Sequence, residues 1–101
     1  MPEWTEPMDK LAQRLIEAAH DTGLYGMEVG LRSRIANSMI EWFKESGYKE
    51  YSAKPDKMNF RFRLVSSPLR GDCIEFSWNP THSYQWNSCL ITMAGEIILN
   101  D

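Results

Sequence analysis

The spacing of apolar residues along the chain changes near Met58. Before this position apolar residues recur every three or four places, which puts them on one face of an α-helix. After it they alternate with polar residues, as in residues 60–64, and this alternation is typical of strands that bury one face. The pattern therefore predicts an α+β fold, with helices in the first half of the chain and an antiparallel sheet in the second.

Two helices are predicted in a helical part of about residues 5–47. The first covers Met8–Ala19, and the second runs from about Leu31 to Ser46, where Gly47 is expected to end it in the left-handed conformation. Each helix has one apolar stripe, formed by Met8, Leu11, Leu15, Ile16 and Ala19 in the first and by Leu31, Ile35, Met39, Trp42 and Phe43 in the second. Each helix is thus expected to bury a single face.

A four-stranded antiparallel meander is predicted for about residues 58–99. The expected strands are Met58–Val65, Asp72–Trp78, Tyr84–Met93 and Glu96–Leu99. Residues 48–53 are compatible with a short additional strand or with an extended connection. Both helices are predicted to pack on one face of the sheet, because an uncovered meander would leave its apolar residues in water. Residues 1–101 then form a single two-layer domain.

Alternation divides the side chains of each of the first two predicted strands between a buried face and an exposed face. The buried set is expected to consist of Phe60, Phe62, Ile74 and Phe76. Arg61, Arg63 and Glu75 then project from the other face, where an arginine and the glutamate can form a cross-strand ion pair. The same three residues can instead form part of a binding surface.

The third predicted strand has two possible orientations. Burial of Trp86 and Leu90 is favoured by their bulk, whereas Cys89, Ile91 and Met93 form a more continuous apolar run. A period of two allows only one of these sets to face the helices. We predict that Trp86 faces inward and keep the second orientation as the alternative.

Length and composition are those of an ordinary globular protein. The chain has 101 residues, of which 43% are hydrophobic and 25% charged, so a core can form without disulfides or metal. No apolar run is long enough to cross a bilayer, and residues 1–30 carry too many charges for a signal peptide. With two cysteines, which are expected to be reduced, the sequence indicates a cytoplasmic protein with no membrane partner.

No combination of residues in the sequence indicates catalysis, metal binding or a cofactor. Cys73, His82 and Cys89 are too widely spaced for a structural zinc site, which usually takes its ligands as close pairs. Neither cysteine has a flanking sequence that marks a nucleophile, and Asp72 and Glu75 fall on opposite faces of a strand. We therefore expect a protein that is not an enzyme and holds neither metal nor cofactor.

The expected function is binding of another protein. Candidate interface residues are Arg61, Arg63, Glu75, Trp4, Arg32 and Arg34, because arginine and tryptophan are enriched at binding hot spots. Small proteins of this kind often act as inhibitors or accessory factors, for example as phage-type inhibitors of a host defence complex. A homodimer is a further possibility.

The alternative function is binding of single-stranded nucleic acid or a nucleotide by an arginine and aromatic face of the sheet. The net charge of −3 argues against a dedicated duplex-DNA binder, which usually carries a basic surplus.

Overall fold

The computed structural model describes residues 7–21, 23–54, 58–80 and 86–99. These residues form α1 (Met8–Asp21), a short 3₁₀ turn (Leu24–Gly26), α2 (Val29–Ser46), β1 (Glu50–Ala53), β2 (Met58–Ser67), β3 (Gly71–Pro80), β4 (Asn87–Thr92) and β5 (Ile97–Leu99). The helices precede an antiparallel sheet, as the change of apolar spacing predicted. The α+β class is therefore confirmed.

The second helix begins and ends close to its predicted bounds. It starts two residues earlier than expected, at Val29, and ends at Ser46. Gly47 has φ 75° and ψ 1°, and its N–H donates a hydrogen bond to the carbonyl of Phe43. The predicted left-handed glycine is thus the end of α2.

The sheet has five strands rather than four. Its order is β1-β2-β3-β4-β5, and each strand pairs with its neighbour in the chain. The strand missing from the prediction is β1, which lies in the segment that was compatible with either a strand or a connection. Four residues give too short an alternation to identify a strand from the sequence. The position of β1 in the sheet is instead determined by the contacts that its side chains make.

Tyr51 makes several of those contacts. It lies opposite Phe62 in the β1–β2 register, and its ring meets Trp42 of α2 edge to face at 5.8 Å. Its hydroxyl donates a hydrogen bond to Asp9 of α1. Burial, together with this hydrogen bond and the Asp9 charge, raises the pKa of Tyr51 to about 12. One side chain therefore connects the first strand to both helices.

The face of the sheet that the helices cover, here called the inner face, forms the core. Phe60, Phe62, Ile74 and Phe76 are each at most 2% exposed, which confirms the buried set predicted from alternation. The Phe62 and Phe76 rings stack with centroids 4.9 Å apart. The helices contribute the fully buried side chains Leu11, Leu15, Ile35 and Met39. Both helices thus pack on one side of the sheet.

The predicted inward orientation of Trp86 is wrong. Cys89 and Ile91 lie opposite the buried residues of β3 and are each 1% exposed, so the alternative orientation is the observed one. Met93 does not join them, because it lies in the turn after β4 and is 42% exposed. The bulk of Trp86 did not require burial under the helices, because its ring packs on the opposite face, 4.5 Å from the guanidinium carbon of Arg61.

Candidate functional site

The sheet face opposite the helices is here called the outer face. Alternate residues of the central strands build it, among them Arg61, Arg63, Val65, Cys73, Glu75, Ser77, Ser88 and Leu90. Within the described ranges no helix packs on this face, because both helices occupy the inner one. Ser77 in its centre is only 2% exposed, so the flanking side chains shield the middle of the face.

Arg63 and Glu75 form an ion pair across β2 and β3. They are direct partners in the register, and Arg63 Nε donates to Glu75 Oε1 at 2.8 Å. A second guanidinium N–H of Arg63 donates to the same oxygen. The cross-strand pair expected from alternation is therefore present. The arginine side chain is 43% exposed and the glutamate 15%, so the pair contributes at most about 1 kcal/mol.

Arg61 lies between a carboxylate and an indole ring. Its Nε is 3.5 Å from Glu50 Oε1 on β1, and its guanidinium carbon is 4.5 Å from the centroid of Trp86. The Nε atom is buried and makes no hydrogen bond to a described residue, because the contact with Glu50 has the distance of an ion pair but not hydrogen-bond geometry. The contact with Trp86 is a cation–π interaction, which is strongest where solvent is partly excluded.

The two partners of Arg61 were not identified as site residues from the sequence. Glu50 belongs to the short strand β1, and Trp86 was assigned to the inner face. The continuous apolar run through Cys89 and Ile91 was the feature that pointed to the observed side of Trp86. No feature of the sequence placed Glu50 beside Arg61, because that contact needs the β1–β2 register.

The charges on this part of the outer face balance. Arg61 and Arg63 face Glu50 and Glu75, and the arginine of the Arg63–Glu75 pair is the more exposed partner. Half-buried apolar residues adjoin the charges, namely Val65, Leu90 and Ile98. The face therefore combines fixed, paired charges with apolar area, a mixture found at protein–protein interfaces.

Arg32 has a different environment from the other candidate residues. Its Nε donates to the carbonyl of Gly95 at 2.7 Å, and its guanidinium also donates to the carbonyls of Leu24 and Met27 at 3.1 and 2.5 Å. These bonds join α2 to the 3₁₀ turn and to the turn between β4 and β5. The guanidinium of Arg32 is thus engaged inside the fold.

The other two candidates from the sequence lie apart from the outer face. Arg34 is exposed on α2, whereas Trp4 lies outside the described residues. Arg61, Arg63 and Glu75 are consequently the predicted site residues that the structure brings together.

Groups that could support chemistry are separated in the fold. Cys73 lies on the outer face and Cys89 on the inner face, both with free, buried thiols, and His82 lies outside the described residues. Asp72 points away from Glu75, and the Lys44 ammonium 2.5 Å away lowers the pKa of its carboxyl group. The described part of the chain contains no group of three residues able to hold a metal ion.

Neither cysteine is expected to react with iodoacetamide in the folded protein at pH 8. Burial raises the pKa of the Cys89 thiol to about 12, so a fraction on the order of one in ten thousand is thiolate at that pH. Burial also raises the pKa of Cys73. Mass spectrometry after alkylation should show an unmodified native protein and two modified cysteines in urea. Rapid alkylation of the native protein would contradict this and identify a reactive thiol.

Over the described residues, neither α1 nor α2 is long and apolar enough to cross a bilayer. Comparison with known proteins found no matching family, no matching curated protein and no matching solved structure. The geometry of the outer face is therefore the guide to function.

Proposed function

We propose that the protein is a non-catalytic module that binds another protein through the outer face of its sheet, as an inhibitor or accessory factor. The observation that carries this proposal is the arrangement of Arg61 against Trp86 beside the Arg63–Glu75 pair. Arginine and tryptophan are the residue types that most often dominate binding energy at interfaces. Here both are held in place on a flat, rigid surface.

The chemistry of the face favours a protein partner over a nucleic acid. A platform for single strands needs cations that are free to meet phosphates and several rings on which bases stack. Arg61 and Arg63 are already paired with carboxylates, and Trp86 is the aromatic ring on the described part of this face. An alternating pattern of positive and negative charge instead suits a protein surface with the complementary pattern.

Exchanging the charges of the Arg63–Glu75 pair tests this proposal. The double variant Arg63→Glu/Glu75→Arg keeps an ion pair between β2 and β3 and leaves the net charge unchanged. It reverses the charges at these two positions of the face and leaves Arg61 and Glu50 as they are. Because position 63 also lies opposite Glu50 in the β1–β2 register, we expect the exchange to lower the melting temperature by no more than a few degrees. The dissociation constant for the partner should rise by about thirtyfold or more, as for a charged pair near an interface centre.

The measurement is quantitative mass spectrometry of proteins captured from the native host on immobilised wild-type and variant protein. The matched control is Lys10→Glu/Glu17→Lys, which exchanges charges on the exposed side of α1. A partner should be captured by the wild-type protein and the control and lost from the Arg63/Glu75 variant. Its affinity should then be measured with both purified proteins.

Three outcomes would overturn the proposal. Capture that survives the Arg63/Glu75 exchange and is lost in Arg34→Glu would move the site to α2. Salt-dependent binding of an oligonucleotide that the exchange removes would establish the nucleic-acid alternative. Concentration-dependent dimerisation that the exchange abolishes would identify a second copy of the chain as the occupant.

A further inference from the structure

The helices leave one corner of the inner face uncovered. A cavity of about 260 Å³ lies there, between the C-terminal end of α1, the 3₁₀ turn and the strands β2 to β5. Its floor includes Phe60, Trp78 and Cys89 from three successive strands, and its walls include Ala19 and Tyr25. Phe60 and Cys89 are at most 2% exposed, so the floor belongs to the core itself.

The volume of the cavity limits the size of an occupant. A cavity of roughly 150 Å³ lined by apolar side chains is large enough to hold benzene. Pockets for drug-sized molecules begin at about 300 Å³. At about 260 Å³ this cavity falls between the two, and it suits a molecule of one or two rings.

The lining of the cavity limits the charge of an occupant. Most lining residues are apolar or aromatic, and none of those described is an aspartate, glutamate, lysine or arginine. An ion placed there would lose hydration and gain no opposite charge, whereas a neutral ring would replace water against apolar walls. The thiol of Cys89 is uncharged at neutral pH, because burial raises its pKa to about 12.

We propose that this cavity is a binding site for a small, neutral, ring-shaped apolar molecule. Phe60 and Trp78 on the floor both pack on the buried ring of Phe76, with centroids 5.8 Å and 5.2 Å away, so the floor offers an occupant aromatic side chains held in fixed positions. His20, whose ring meets Phe60 edge to face, and Tyr25, which is 69% exposed, line the cavity near its mouth. Their polar groups can meet one hydrogen-bonding atom of such a ligand.

The site is independent of the outer face. The cavity lies on the inner face, so the sheet separates it from Arg63 and Glu75. A variant that loses binding of a ring compound is therefore expected to keep binding of a protein partner, and the reverse.

Quinoline is the probe that tests the cavity, with 1-methylquinolinium as its charged counterpart of nearly the same shape. Titration into ¹⁵N-labelled protein should give saturable chemical-shift changes at Ala19, Cys89 and Ile97. The cation should bind at least about tenfold more weakly, because it cannot be neutralised inside the cavity. Binding of both probes with equal affinity would contradict the assignment of a neutral ligand.

A filled cavity provides the matched comparison. Ala19→Phe places a ring in the cavity, whereas Ala18→Phe makes the same change at the neighbouring half-buried position, which does not line it. Quinoline binding should weaken by about tenfold or more in Ala19→Phe and remain in Ala18→Phe. If Ala19→Phe does not fold, the shift map of the wild-type protein decides the question. Shifts centred on another surface, or no saturation at millimolar quinoline, would overturn the proposal.

Discussion

Replacing Phe62 by alanine is expected to lower the free energy of unfolding by about 3–5 kcal/mol. The side chain is fully buried, and its ring stacks on Phe76 with an interplanar angle of 5°. Its removal leaves a cavity beneath both helices that the rigid sheet cannot close. Since small domains are stable by only about 5–15 kcal/mol, this loss removes between about a fifth and all of the stability.

Urea unfolding followed by far-UV circular dichroism measures this loss. Leu69→Ala is the control, because Leu69 is 89% exposed in the turn between β2 and β3 and should change stability by no more than about 0.5 kcal/mol. Phe76→Ala should resemble Phe62→Ala. If Phe62→Ala unfolds at the wild-type urea concentration, Phe62 does not belong to the core.

Gly95→Ala is expected to destabilise the protein by about 3 kcal/mol. Gly95 has φ 85°, a conformation that L-residues rarely adopt, and an added Cβ would lie 2.3 Å from the carbonyl oxygen of Val29 and 3.0 Å from the nitrogen of Ser33. Both atoms belong to the backbone of α2 and cannot rotate away. The helix would have to move, which would weaken the hydrogen bond from Arg32 to the Gly95 carbonyl.

Gly47→Ala separates the cost of the left-handed backbone from the cost of the close approach to α2. Gly47 also has a positive φ, of 75°, but an added Cβ there would meet no atom within 4 Å. Its replacement should cost only about 1 kcal/mol, from the left-handed backbone alone. Thermal unfolding of both variants gives the difference. Equal losses would show that the close approach of Gly95 to α2 has no energetic consequence.

The long elements could be predicted from the sequence because each repeats its pattern many times. Fourteen residues of α1 and eighteen of α2 repeat a helical stripe several times, and in β2 the alternation runs without a break from Met58 to Leu64. The four residues of β1 do not. Its pairing depends on Tyr51 reaching Asp9, forty-two positions away, and no local pattern contains that contact.

In the candidate site, too, the residues on long strands could be predicted, whereas the residue on the short strand β1 could not. Alternation alone placed Arg61, Arg63 and Glu75 on one face, because β2 and β3 pair along ten positions. Glu50 could not be predicted as a partner of Arg61, since β1 is placed by packing rather than by a repeated pattern. For Trp86, the apolar run through Cys89 and Ile91 did indicate the observed face. Bulk favoured burial of Trp86, whereas its ring packs on a guanidinium instead.

Both edges of the sheet are formed by short strands. The unpaired N–H and C=O groups of a long, flat edge recruit strands from other molecules, and this is a common route to domain swapping and fibrils. Here β1 has four residues and β5 has three, so either edge offers few backbone groups to an incoming strand. The short edges therefore disfavour growth of the sheet from molecule to molecule.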